Sequence, residues 1–183
     1  MLSRLGILVL SLAVSGAYSG FTLSDDRAHL SFSTAAGARV EAPKTSPEQE
    51  GFDQPHLASS RPLAGWVALM PNCCTSYPLP LAVVTMKGGK VLRTFEMVPP
   101  VWAWSFARHD TAVATRQALP HGVTSLIYQL HRLSDGQQLE EFVCTPKEGG
   151  APGTPVQLEY EGTVPDWVWP IAEGCPARPD AGR

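Results

Sequence analysis

From Leu63 onward, apolar and polar positions alternate in short runs, each closed by glycine, proline or an aspartate turn. This period of two is the pattern of a strand with one packed face. It predicts strands at Trp66–Met70, Leu81–Met86, Val91–Met97, Val101–Phe106, Thr111–Thr115, Ser125–Leu133, Gln137–Val143 and Val156–Tyr160. Two tight turns punctuate the series. Lys87-Gly88-Gly89-Lys90 and Ser134-Asp135-Gly136 supply residues that accept positive φ, as two-strand hairpins require. In Val101–Phe106 the aromatics Trp102, Trp104 and Phe106 recur every second residue, which predicts that all three share one strand face.

Upstream the pattern thins. Residues 28–32 form one short strand candidate. Residues 42–51 have linker composition, and residues 34–61 read as mostly a surface arm, anchored at Val40 or Phe52. The domain plan is therefore a leader at 1–19, an N-terminal strand and flexible arm at 20–62, a single β-rich domain at 63–175 and a tail at 176–183. The fold class is mainly β, with small antiparallel sheets arranged as a sandwich or a partial propeller-like array and linked by disulfides.

Composition sharpens this picture. Sixteen glycines and 17 prolines favour turns over helices. A 44% hydrophobic content supports a packed core in 183 residues. The net charge is −3, and lysine and arginine are scattered rather than clustered in sequence. Nucleic acid, which needs several cations on one face, is not expected as a partner on that ground.

Residues 1–19, MLSRLGILVLSLAVSGAYS, combine Arg4, an apolar run and small residues ahead of a cleavage site. This is the composition of a secretory signal peptide. Cleavage is expected before Gly20, with a cut after Ala17 as the alternative. The chain is then exported to the periplasm or secreted, with no membrane span after leader removal. An uncleaved leader acting as a membrane anchor is the competing expectation.

Four cysteines, Cys73, Cys74, Cys144 and Cys175, fit an oxidising compartment. One pairing sends Cys73 and Cys74 separately to Cys144 and Cys175. The other joins Cys144 to Cys175 and leaves the neighbours bonded to each other or reduced. Their spacing lacks the Cys-x2-Cys of zinc sites, so no metal and no cofactor is expected.

Two internal echoes appear. Gly89-Lys90-Val91-Leu92-Arg93-Thr94-Phe95 repeats in outline as Gly136-Gln137-Gln138-Leu139-Glu140-Glu141-Phe142, and Val98-Pro99 with Trp102-x-Trp104 returns as Val164-Pro165 with Trp167-x-Trp169. Residues 63–143 resemble β-propeller blades, which are four-stranded antiparallel units. The resemblance implies one blade over Val101–Phe142 and a second over Leu63–Phe95. It also implies open lateral faces, because a closed propeller needs at least about four blades.

Candidate chemistry is sparse. Trp102, Trp104, Trp167 and Trp169 are candidates for an aromatic platform that stacks on a sugar ring or takes a proline-rich peptide. Core packing is the competing use of the same residues. His109 beside Asp110 is a candidate acid–base pair, although no glycine-flanked serine accompanies it. The expected function is non-catalytic binding or a structural role in the envelope or extracellular space, with a protein or carbohydrate ligand. The alternatives are an exported enzyme with its site near His109 and Asp110, and a self-associating assembly or stress factor.

Overall fold

The structure is a computed structural model that describes residues 17–73, 76–121, 125–147 and 157–174. Among them the chain is mainly β, with three small antiparallel sheets and no α-helix. No helix among the described residues is long and apolar enough to cross a membrane.

The first sheet holds β1 (Tyr18–Leu23), β2 (Leu30–Thr34) and β3 (Arg39–Glu41) in chain order. The second is the meander β4 (Gly51–Leu57), β5 (Leu63–Met70), β6 (Leu79–Lys87) and β7 (Lys90–Glu96). The third runs β8 (Val101–Ala107), β9 (Ala112–Gln117), β10 (Leu126–Arg132) and β11 (Gln138–Pro146), with the two-residue β12 (Leu158–Glu159) on its edge.

Strand pleating explains how these sheets stack. Successive side chains point to opposite faces, so a strand buried on both faces must be apolar throughout. β5 is such a strand. Its Ala64, Trp66 and Ala68 join Phe32 and Leu30 of the first sheet in one core. Its Leu63 and Val67 join Trp104 and Val113 of the third sheet in another. The second sheet is thus the middle layer. The far face of the third sheet, carrying Tyr128, Leu130 and Phe142, is covered by Val164, Trp167, Val168 and Ile171. That covering segment ends in a single 3-10 turn, Trp169–Ile171.

Close approach of the middle and third layers depends on Gly65. A Cβ there would stand 2.6 Å from the Trp104 ring and 2.7 Å from the Val84 carbonyl oxygen. Only glycine lets the indole lie across the strand.

Three expectations are corrected. Residues 34–61 are not a loose arm: they carry β3 and β4, and β4 pairs along β5. Their polar composition reflects an edge strand, which buries fewer side chains than a central one. Trp102 does not share a face with Trp104 and Phe106, because a bulge intervenes. Cys73 is exposed and a free thiol, so it is not a disulfide partner. No disulfide joins two of the described residues. Cys144 is buried and bonded, while Cys74 and Cys175 lie outside the described residues.

Candidate functional site

Two strand irregularities meet at one end of the stack. In β8, Val101 pairs with Gln117 and Ala103 with Arg116, leaving Trp102 as an extra residue. A bulge of this kind shifts the in–out alternation by one residue, so side chains three apart across it share a face. Val101 and Trp104 accordingly both enter the core, at 0% and 1% exposure, while Trp102 faces outward at 37%. The Trp102 indole N–H donates to the Ala118 carbonyl at 2.9 Å. That bond satisfies the ring's one polar atom and fixes its orientation.

The second irregularity lies in β4, between Asp53 and His56. Gln54 there has φ +45°, a region non-glycine residues seldom occupy. It is held from three sides. Its carbonyl accepts the Trp104 indole N–H at 2.9 Å, and its side-chain amide donates to the Trp102 carbonyl at 3.3 Å. Its own N–H donates to the Asp53 carboxylate at 2.9 Å. The other Asp53 oxygen takes the Arg27 guanidinium at 3.1 Å.

Between the bulges lies a cleft of about 470 Å³. Trp102 and Tyr77 contribute aromatic surface to it, and Asp26, Glu50, Asp53 and Gln54 contribute polar atoms. Tyr77 is 44% exposed. The Asp26 carboxyl is held below its usual range by the Ser24 hydroxyl and the Ala28 N–H, so it is ionised at neutral pH. Three carboxylates against one guanidinium leave the cleft net negative. Aromatic surface ringed by acceptors and an amide suits a neutral, hydroxyl-rich ligand.

The other sequence candidates are placed elsewhere. Trp104 is core: its ring meets His56 edge-on at 4.9 Å and Phe106 at 5.2 Å. Trp167 is buried under the third sheet and donates to Glu140 at 2.6 Å. Trp169 is half-buried at the margin of the same core. The four tryptophans therefore form no common platform. His109 is exposed on the β8–β9 turn. Its neighbour Asp110 is buried and turned toward Ser60, accepting the backbone N–H at 2.5 Å and the hydroxyl at 2.7 Å. Burial pushes the Asp110 carboxyl upward, but the Ser60 and Ser59 hydrogen bonds outweigh it and hold its pKa below the usual value. A carboxylate so occupied caps a loop. Among the described residues no three His, Cys, Asp or Glu side chains gather as a metal site.

Sequence reasoning missed Tyr77, Gln54 and the three carboxylates of the cleft. One signal for Gln54 was present. Pro55 cannot donate to a ladder, so it belongs on an edge strand or at a bulge. Here it is on both: β4 is the outermost strand of its sheet, and Pro55 lies inside the irregular stretch.

No family model, curated protein or solved structure matches this chain.

Proposed function

We propose that the chain is an exported, non-catalytic binding module whose Trp102 cleft holds a neutral carbohydrate. The observation that carries this is the bulge in β8, which lifts one tryptophan out of a core-forming series and sets it beside Tyr77 and three carboxylates. A sugar ring offers C–H bonds to an indole face and hydroxyls to carboxylate and amide partners. The stacked four-stranded meanders support a partial propeller-like array as the scaffold, with the cleft at the end where β5 and β8 meet the loops. The test is titration of the mature protein with a panel of neutral oligosaccharides, followed by tryptophan fluorescence. Trp102→Ala is expected to weaken binding at least about tenfold, the scale of a lost aromatic contact. Equal affinity in Trp102→Ala and the parent would sink the reading. Binding confined to proline-rich peptides would replace the ligand class.

Export carries two structural corollaries. Tyr18 packs in the first core against Phe32 at 5.7 Å, and its hydroxyl accepts the Gly89 N–H at 3.0 Å. Leader cleavage after Ala17 keeps that tyrosine, whereas cleavage before Gly20 removes it. The mature chain is therefore read as beginning at Tyr18. Gly174 stands against Leu126, whose cross-strand partner is Cys144. This supports a Cys144–Cys175 bond, with Cys73 left reduced. Peptide mapping of the exported chain, alkylated before reduction, reads both points. A mature N-terminus at Gly20, or a Cys144–Cys74 link, would overturn the corresponding corollary.

A further inference from the structure

A second cleft lies at the other end of β5. The strand runs eight residues from Leu63 to Met70, roughly 25 Å at the usual rise. The Trp102 cleft is lined by Leu69 and this one by Leu63. Three hairpin turns converge here: β6–β7 at Lys87, β8–β9 at Arg108 and β10–β11 at Ser134. The space is about 590 Å³, and its lining carries four cations and no carboxylate. The cations are Arg61, Lys87, Arg108 and Arg132.

Two of these have anionic partners outside the lining. Arg108 pairs with Glu140, and Arg132 with Asp135 at 2.7 Å. A guanidinium carries five N–H donors, so one carboxylate partner leaves several for a ligand. Glu140 is itself fixed from behind by the Trp167 indole. Arg61 donates to the Asp110 carbonyl at 3.2 Å, a contact that positions it without cancelling its charge. Lys87 is exposed, and its ammonium has no hydrogen-bond or ion-pair partner among the described residues. The floor is apolar, with Leu63, Leu92, Leu133 and Leu139, of which Leu92 is 42% exposed.

The turn that closes the far side is held in place. Arg93 of β7 reaches across to donate to the Leu133 carbonyl at 3.0 Å and the Ser134 carbonyl at 2.7 Å. These bonds lock the third sheet's turn onto the second sheet and occupy two acceptors that would otherwise oppose an anion. The result is a preformed pocket with positive walls and a greasy base.

We propose that this cleft binds a small organic anion, a carboxylate or phosphate ester whose apolar body lies on Leu92, Leu133 and Leu139. Its charged group sits between Lys87 and the arginines. The site is separate from the Trp102 cleft and takes a charged ligand where that cleft takes a neutral one.

The test is calorimetric titration of the mature, oxidised protein with phenyl phosphate, hexanoate, inorganic phosphate and benzyl alcohol. Phenyl phosphate or hexanoate is expected to bind at least about tenfold tighter than benzyl alcohol and to weaken as salt is raised. Whichever of the two binds more tightly distinguishes a phosphate ester from a carboxylate. Lys87→Gln, on an exposed turn, is expected to weaken binding by about fivefold with the melting temperature unchanged. Lys147→Gln, outside the lining, is expected to bind like the parent. Anions that bind no better than benzyl alcohol, or an undiminished affinity in both Lys87→Gln and Arg61→Gln, would overturn the proposal. So would inorganic phosphate binding as tightly as phenyl phosphate, because the apolar floor would then have no role.

Discussion

At the scale of single residues, the decisive events are substitutions of role. Four tryptophans look equivalent in the sequence, and backbone context separates them. Trp104 fills the space that Gly65 leaves, Trp167 closes the third sheet, and Trp102 is turned outward by one inserted residue. Period-two counting carries no information about a bulge, so it placed Trp102 on the wrong face. Asp110 shows the same limit. Next to His109 it resembles half of an acid–base pair, yet its carboxylate is turned to a loop 50 residues away. That arrangement has a measurable consequence. The folded pKa of Asp110 lies below its unfolded value of 3.8, so unfolding takes up a proton between the two. Its contribution is therefore complete above about pH 4 and is lost as pH falls through the folded pKa. Asp110→Asn is expected to cost about 1.5–3 kcal/mol at pH 7, the range for hydrogen bonds to a charged group. The difference from the parent should shrink as pH falls below the unfolded value. Urea titrations at pH 7 and pH 3 check this, and equal losses at both would show that the charge is not what Ser60 needs.

At the scale of elements, local patterning and the observed strands agree best where turn chemistry and alternation coincide. The Lys87–Lys90 and Ser134–Gly136 turns do join β6 to β7 and β10 to β11, and positive φ falls on Gly88, Gly89 and Gly136. The stretch with imperfect alternation, Ser125–Leu133, contains β10 and no helix. Its two faces serve different cores: Tyr128 and Leu130 pack beneath the C-terminal segment, while His131 lies 5.7 Å from Phe95 of the neighbouring sheet. A strand wedged between two layers has no reason to alternate cleanly. β4 was illegible for a complementary reason. As an edge strand interrupted at Gln54-Pro55 it buries Phe52 but shows partly exposed residues after it. Its place is set by pairing with β5, a contact between segments that composition alone does not register. The Trp102 cleft inherits this difficulty, since its walls come from β1–β2 turn, β4, β5, β6 and β8 together. Only the emergent tryptophan was visible in advance.

At the scale of the whole molecule, the problem is how a stack of sheets ends. Each interior sheet face is covered by the next sheet in sequence order, which leaves the outer face of the last one to be covered by something else. Here that cover is the segment from Val164 to Ile171, and it is tethered through a buried cation. Arg116 of β9 is 8% exposed, and its guanidinium reaches both the carbonyl and the carboxylate of Glu173. Beneath lie Tyr128, Leu130 and Phe142. Four apolar side chains of the cover are buried, and burial of each is worth about 1.5–3 kcal/mol. Their sum is comparable with the whole net stability of an ordinary domain, about 5–15 kcal/mol. A chain ending at Gly162 is therefore expected to lose its cooperative thermal transition, or to associate through the bared face, since apolar patches of that size seldom stay exposed. Size-exclusion chromatography and dye binding read the two outcomes. A milder variant separates the cover from the fold beneath it. Arg116→Met keeps the stem's packing and removes only the tie to Glu173. Hydrogen exchange in residues 167–172 should then quicken, while β9 and β10 keep their protection. If the shortened chain melts like the parent and Arg116→Met leaves exchange unchanged, the cover is an ornament of the third sheet and the stack is stable with that face open to water.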